Sequence, residues 1–186
     1  VFTSTYNRGY IIENLYNSLK RQTFRDFEWI VIDDGSTDNT EELFSRILQD
    51  EKDFSIIYQK VKNGGKHRAI NKGVRLANGE LFFIVDSDDY LTDNALWKVD
   101  YVEKSLKSED GKFGGVCGIK GYSENEIVGT TYDGNEFLDI TMLERSKYHI
   151  SGDRAEVFYT DILKKYPFQE FDDETFLTEA VVWNRI

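Results

Sequence analysis

The chain has 186 residues, 40% of them apolar and 15% aromatic, which suits one globular domain with a full core and excludes a disordered chain. Its 34 acids against 23 bases give a formal charge of −11, which excludes nucleic acid as the main ligand because a phosphate backbone needs a basic face. One cysteine, Cys117, and two histidines, His67 and His149, exclude a disulfide framework and a thiolate or histidine metal cage, while a small phosphorylated ligand carried with a divalent cation stays open.

Val1–Ser4 reads as the tail of a strand and Tyr6-Asn7-Arg8-Gly9 as a turn. Ile11, Ile12, Leu15 and Leu19 recur at helical spacing and predict a helix over Tyr10–Arg21. Phe27–Ile32 is a short β-branched and aromatic run, a buried strand closed by Asp33-Asp34-Gly35-Ser36. Ser36 or Asp38 is expected to cap a helix from about Thr40 to Leu48. Phe54–Tyr58 is a third strand, Lys62–Lys66 a flexible loop, and His67–Ala77 a helix closed by Asn78-Gly79. Leu81–Val85 is a fourth buried strand ending in Asp86-Ser87-Asp88-Asp89, and Asp93–Leu106 a helix. This alternation predicts βαβ units and a mostly parallel sheet flanked by helices. Later, Gly114–Tyr122 and Ala155–Tyr159 read as strands, Thr175–Ile186 as a helix, and Cys117 as buried packing.

No apolar run approaches the roughly 18 residues of a membrane span. Val1 is not a natural start and Ile186 falls inside an apparent helix, so both ends read as cut from a longer chain. A reducing, cytoplasmic setting is expected, with any peripheral association at the inner face of the membrane made outside this fragment.

The acids stand where core strands end, and ligands in open α/β sheets bind at the carboxyl ends of strands. Residues two apart in extended chain point the same way, so Asp86 and Asp88 can present two carboxylates to one point. Adjacent anions repel unless a cation offsets them, and a hard divalent ion that takes other ligands from phosphate suits such a pair. The bland alternative is a turn and helix cap, most plausible for Asp89.

Thr5-Tyr6-Asn7 follows the first strand, Gln22-Thr23-Phe24 ends the first helix, and Glu28-Trp29-Ile30-Val31-Ile32-Asp33-Asp34-Gly35-Ser36-Thr37-Asp38-Asn39-Thr40 follows. Asn71-Lys72-Gly73, Ala77-Asn78-Gly79-Glu80 and the D-x-D Asp86-Ser87-Asp88 come next in order. These motifs resemble those of family 2 glycosyltransferases of the bacterial cell-surface polysaccharide type, which have the GT-A fold. A lone D-x-D is a weak signal; the ordered series is strong.

The resemblance implies an inverting, metal-dependent transferase that moves a sugar from a nucleotide-diphosphate donor, UDP by preference, to a saccharide or lipid-linked glycan. It implies that Tyr6 packs on the base, Asp34 accepts a hydrogen bond from it, and Ser4 and Thr5 line the same edge. Asp33 is expected to be structural. Lys66 and Arg68 are set to meet the diphosphate or to form a solvated basic surface. Asp88 is implied as main ligand of Mn2+ or Mg2+, with Asp86 nearer the ribose. The general base is expected at Glu179, with Asp172 and Asp173 in reserve; relatives carry Glu-Asp where this chain has Glu179-Ala180. Asp153 and His149 are weaker candidates for the acceptor side and His67 for phosphate, each histidine more often an ordinary packed or surface residue. Residues 1–106 are expected to bind the nucleotide and 107–186 the acceptor, within one domain. A non-catalytic scaffold of the same fold is the alternative, and a phosphoacceptor signalling domain fits the motif order poorly.

Overall fold

The computed structural model describes residues 1–106, 113–123, 125–134 and 137–186; the expected boundary at Lys107 lies outside them. β1 (Phe2–Thr5), β2 (Glu28–Asp33) and β3 (Ser55–Lys60) pair in parallel in the order β1-β2-β3. α1 (Glu13–Lys20), α2 (Thr40–Asp50) and α3 (Lys66–Leu76) connect these strands and lead to β4 (Leu81–Phe83). β4 joins the other side of β1 through a parallel bridge of Phe2 to Ile84 and a 2.9 Å bond from the Val85 amide to the Phe2 carbonyl. α4 (Ala95–Leu106) precedes β5 (Gly115–Ile119) and the short ribbon β6 (Gly121–Ser123) and β7 (Glu126–Ile127). β8 (Arg154–Tyr159) runs antiparallel between β4 and β5, followed by α5 (Thr160–Lys165) and α6 (Ala180–Trp183). The sheet order is therefore β3-β2-β1-β4-β8-β5, mostly parallel, with one reversed strand.

Alternation of side chains fixes both faces. Along β2, Trp29 and Val31 pack with α1, α2 and α4, whereas Ile30 and Ile32 pack with α3, α5 and α6. Phe83 and Val85 share the first core, and Phe82 and Ile84 the second. Phe2 is fully buried and stacks on Phe82 with ring centroids 4.9 Å apart.

Several expected boundaries move. Tyr10–Ile12 form turns onto the Arg8 carbonyl, so α1 begins at Glu13. Asp38, not Ser36, serves the start of α2, its Oδ1 accepting from the Thr40 amide at 3.1 Å and the Thr40 hydroxyl at 2.6 Å. The strand expected over Gly114–Tyr122 breaks after Ile119, where pairing with β8 ends and Lys120 turns inward. The helix expected over Thr175–Ile186 is confined to Ala180–Trp183; before it begins, the Thr175 carbonyl packs against Gly65 and Glu179 pairs with Lys66. Cys117 is exposed, since β5 forms the sheet's edge. Partial burial beside Glu156 pushes its thiol up to about 12, which leaves little thiolate.

Gly73 shows how closely α3 approaches the sheet: a Cβ there would lie 2.3 Å from the Phe2 ring. Gly73→Ala adds roughly 1 kcal/mol of helix propensity but overpacks a ring with no free space, at a cost of about 1–3 kcal/mol. The expected outcome is a lower melting temperature; a rise would show that Phe2 yields easily.

Candidate active site

Strand order reverses at β1, with β2 and β3 added on one side and β4, parallel to β1, on the other, which makes the crevice beyond the carboxyl ends of β1 and β4 the ligand position of such sheets. Tyr6 leaves β1 there, 49% exposed, and Asp86 leaves β4 there. β5 runs parallel to β4, so Lys120 arrives at the same edge. β8 is reversed, so its start brings Asp153 to that edge as well.

Most motif residues brace this edge. The Asp33 carboxylate is fully buried, accepting from the Ser36 amide at 2.7 Å and the Tyr58 hydroxyl at 2.6 Å. Burial and that carboxylate push the Tyr58 hydroxyl well above the usual tyrosine range. Asn7, at φ 53°, donates its amide to the Ser36 hydroxyl at 2.8 Å and accepts the Thr37 amide at Oδ1 at 2.7 Å, tying the first loop to the second. Asp34 accepts from the Gly64 amide on one oxygen and the Gly65 amide on the other, both at 2.8 Å. The glycine loop is thus held in place by Asp34. Thr5 is buried, and Ser4 is half-buried beside it.

Beyond the brace lies a chain of charge. Lys66 Nζ sits 2.5 Å from Asp86 Oδ1 and 2.7 Å from Glu179 Oε1. Burial opposes the charge on Lys66, but Asp86 and then Glu179 outweigh it and raise its pKa. Burial likewise opposes ionisation of Asp86, yet Lys66 and then Lys120 hold its carboxyl below the usual carboxylate range. Lys120 Nζ lies 2.6 Å from Asp153, 2.9 Å from Asp89 and 3.5 Å from Asp86. Asp88 is 46% exposed and faces Arg8 across 3.6 Å. Lys120 and Arg8 were not among the residues expected from sequence. Arg8 lay in a motif read as a turn, and Lys120 in the middle of an expected strand.

The structure therefore gathers Asp86, Lys66 and Glu179 into one contact chain, and places Asp88 and Asp89 on the same turn. It does not bring in all the rest. Asp172 and Asp173 occupy an exposed turn, and among the described residues no ion pair links either to the cluster. Arg68 donates to the Phe171 carbonyl and stands 3.9 Å from Glu170. His67 is buried against the Phe168 ring, and His149 is an exposed residue with φ 57° that closes a 3-10 turn.

Among the described residues no three metal-ligating side chains converge. Asp86 and Asp88 nevertheless offer hard oxygen donors, the donor set for an ion that takes its remaining ligands from phosphate and water. That chemistry fits Mg2+ or Mn2+ bound with a diphosphate and does not fit a metal cage built from protein alone.

An open, mostly parallel sheet with these acids beyond its switch point defines an α/β protein of the GT-A type. The family described as Glycosyl transferase family 2 matches residues 1–126, and the chain belongs to that family. It is 38% identical over 97 residues to the glycosyltransferase GlyG of Streptococcus pneumoniae, across 52% of this chain and 32% of that protein. It is 28% identical over 189 residues to the GalNAc(5)-diNAcBac-PP-undecaprenol beta-1,3-glucosyltransferase of Campylobacter jejuni, covering 98% of this chain and 57% of that one. The structure of S. aureus TarS 1-349 in complex with UDP-GlcNAc superposes with a TM-score of 0.64 at 25% identity, over 91% of this chain and 48% of that one. The chain thus spans about a third to 57% of the length of these relatives. Among the described residues no helix is long and apolar enough to cross a membrane.

The segment leading to Glu179 is pinned by Asn71, whose Nδ2 donates to the Phe168 carbonyl and whose Oδ1 accepts the Phe168 amide, both at 2.9 Å. Asn71→Ala leaves two buried backbone groups unpaired, a loss of about 1–3 kcal/mol. Proteolysis between residues 168 and 179 should quicken in this variant; an unchanged rate would show that the clamp is dispensable.

Proposed function

We propose that this chain is the catalytic domain of an inverting, metal-dependent glycosyltransferase that takes its sugar from a nucleotide diphosphate, UDP by preference. The acceptor is a saccharide or lipid-linked glycan. The observation that carries this reading is the contact chain Asp86–Lys66–Glu179, which sets a carboxylate of the second half one ammonium group away from the D-x-D turn. A carboxylate so placed can take the acceptor's proton while the diphosphate departs on the side of Asp86 and Asp88.

Support comes from three further features. Tyr6 leaves an exposed ring at the end of β1, able to pack on a base, with Ser4 and Thr5 at the same edge. Asp34 uses two of its roughly four acceptor positions on the glycine amides, and a base N–H can share the carboxylate. Lys66 offers the donor's phosphates a cation next to Asp86. We assign Arg68 to holding the 168–171 segment instead of the diphosphate. Residues 1–106 bind the donor in this reading, and the second half presents the acceptor. The C. jejuni relative is named for a lipid-linked substrate and the TarS complex holds UDP-GlcNAc, which favours a UDP-sugar and a glycan acceptor.

The reaction is a single displacement. The acceptor hydroxyl oxygen bonds to the anomeric carbon, its proton passes to the Glu179 carboxylate, and the carbon–oxygen bond to the diphosphate breaks with its electron pair leaving on the nucleotide. Asp88 and Asp86 would hold a divalent ion, which would supply positive charge against that departing oxygen. Asp172 and Asp173, exposed on their turn, stay in reserve for the proton role.

UDP with Mn2+ should raise the melting temperature, UDP alone should do so far less, and Asp88→Ala should abolish the gain. An equal response to UDP, GDP and dTDP, or none to the metal, would overturn the donor assignment. Glu179→Gln should bind UDP with Mn2+ as before while turnover falls by about 10²–10⁴-fold; undiminished turnover would move the base elsewhere.

A further inference from the structure

Lys120 is the most heavily paired cation at this edge. Its side chain is 19% exposed, and its ammonium touches Asp153, Asp89 and Asp86 at 2.6, 2.9 and 3.5 Å. Those acids come from two separate segments, the turn after β4 and the start of β8. Without a positive charge between them they would repel and splay the turn. The same positive charge stands against Asp86 Oδ2, so it also repels any second cation that approaches that carboxylate.

We propose that Lys120 is a built-in counter-ion that takes the electrostatic place of a divalent ion before the donor arrives, so that the metal binds tightly only together with the diphosphate. The inference rests on Asp86 and Asp88 being the metal-binding acids. Lysine suits this task because its charge is compact and rides on a flexible four-carbon stem. When the diphosphate enters, its negative charge offsets the repulsion and gives the ammonium a further partner. Metal and nucleotide are therefore coupled, each raising the affinity for the other by the same factor. Lys120 acts through Asp86 and Asp89 and is a positioning residue.

The test measures Mn2+ alone, by the paramagnetic signal of free Mn2+, and then Mn2+ with UDP. Lys120→Met should bind Mn2+ alone at least about tenfold more tightly than the unmodified protein, because one nearby positive charge is gone. The coupling between Mn2+ and UDP should shrink by a similar factor. Lys120→Arg should keep the original weak binding of metal alone, and Asp86→Asn added to Lys120→Met should erase the gain. Asp153→Asn should act in the opposite direction, since it removes the nearest partner and leaves Lys120 against Asp86 and Asp89. It should weaken Mn2+ binding further and so serves if Lys120→Met does not fold. If UDP binding requires Mn2+ in the unmodified protein but neither variant shifts the affinity for metal alone, Lys120 only braces the turn and the inference is overturned. If UDP binding ignores Mn2+ in every variant, the underlying metal assignment fails, and the inference with it.

Discussion

Five carboxylates, those of Asp86, Asp88, Asp89, Asp153 and Glu179, meet at one edge of the sheet, and like charges so close must be offset for the edge to exist at all. The offset comes from Arg8 after β1, Lys66 at the start of α3 and Lys120 after β5. Each cation is delivered by a different connection, so the charge balance depends on the strand order. It requires β4 to lie beside β1, and β8 to run backwards between β4 and β5. Were β8 parallel, Asp153 would start at the opposite edge, and Lys120 would lose its nearest partner.

The helix α3 joins the two halves of this arrangement. Its first residue contacts Asp86 and Glu179, while Arg68 and Asn71, two and five residues on, hold the backbone of the chain that leads to Glu179. Gly65 belongs to the same design. At φ 95° it lies against the Thr175 carbonyl, which a Cβ would meet at 1.8 Å. The glycine loop therefore has a packing role in addition to any phosphate role. Asp34, whose carboxylate holds that loop, links the end of β2 to the segment that leads to Glu179.

Much of the first half was legible because its signals are local. Alternating apolar runs such as Phe27–Ile32 dictate buried strands, and the order of Asp34 and Asp86 after those strands points to one crevice. The second half was less legible because its determinants are pairings between distant segments. Nothing near Ala155–Tyr159 states that it runs antiparallel, yet that direction brings Asp153 to Lys120. A helix was expected over Thr175–Ile186, but only four residues are helical, and the chain before them packs on Gly65 and pairs with Lys66, contacts between distant segments. Cys117 looked buried among glycines because edge or centre is a property of the whole sheet. Motif residues also divide in a way the pattern alone does not show: Asp33, Asp34, Asn7, Asp38 and Asn71 brace the scaffold, and Tyr6 and Asp86 stand at the crevice.

The charge count at this edge bears on why a metal and two lysines would serve together. Five carboxylates against three cations leave an excess of two negative charges, which one divalent ion would cancel. A diphosphate brings further negative charge, so cancelling the protein's own excess is not enough to receive it. In the proposed reading Lys66 and Lys120 serve the ligand as well as the acids, and neither is fixed to a single partner: Lys66 spans two carboxylates and Lys120 three. Shared cations of this kind can turn from one anion to another without leaving any of them bare. That property suits a crevice in which an anionic leaving group must be held during transfer and released afterwards.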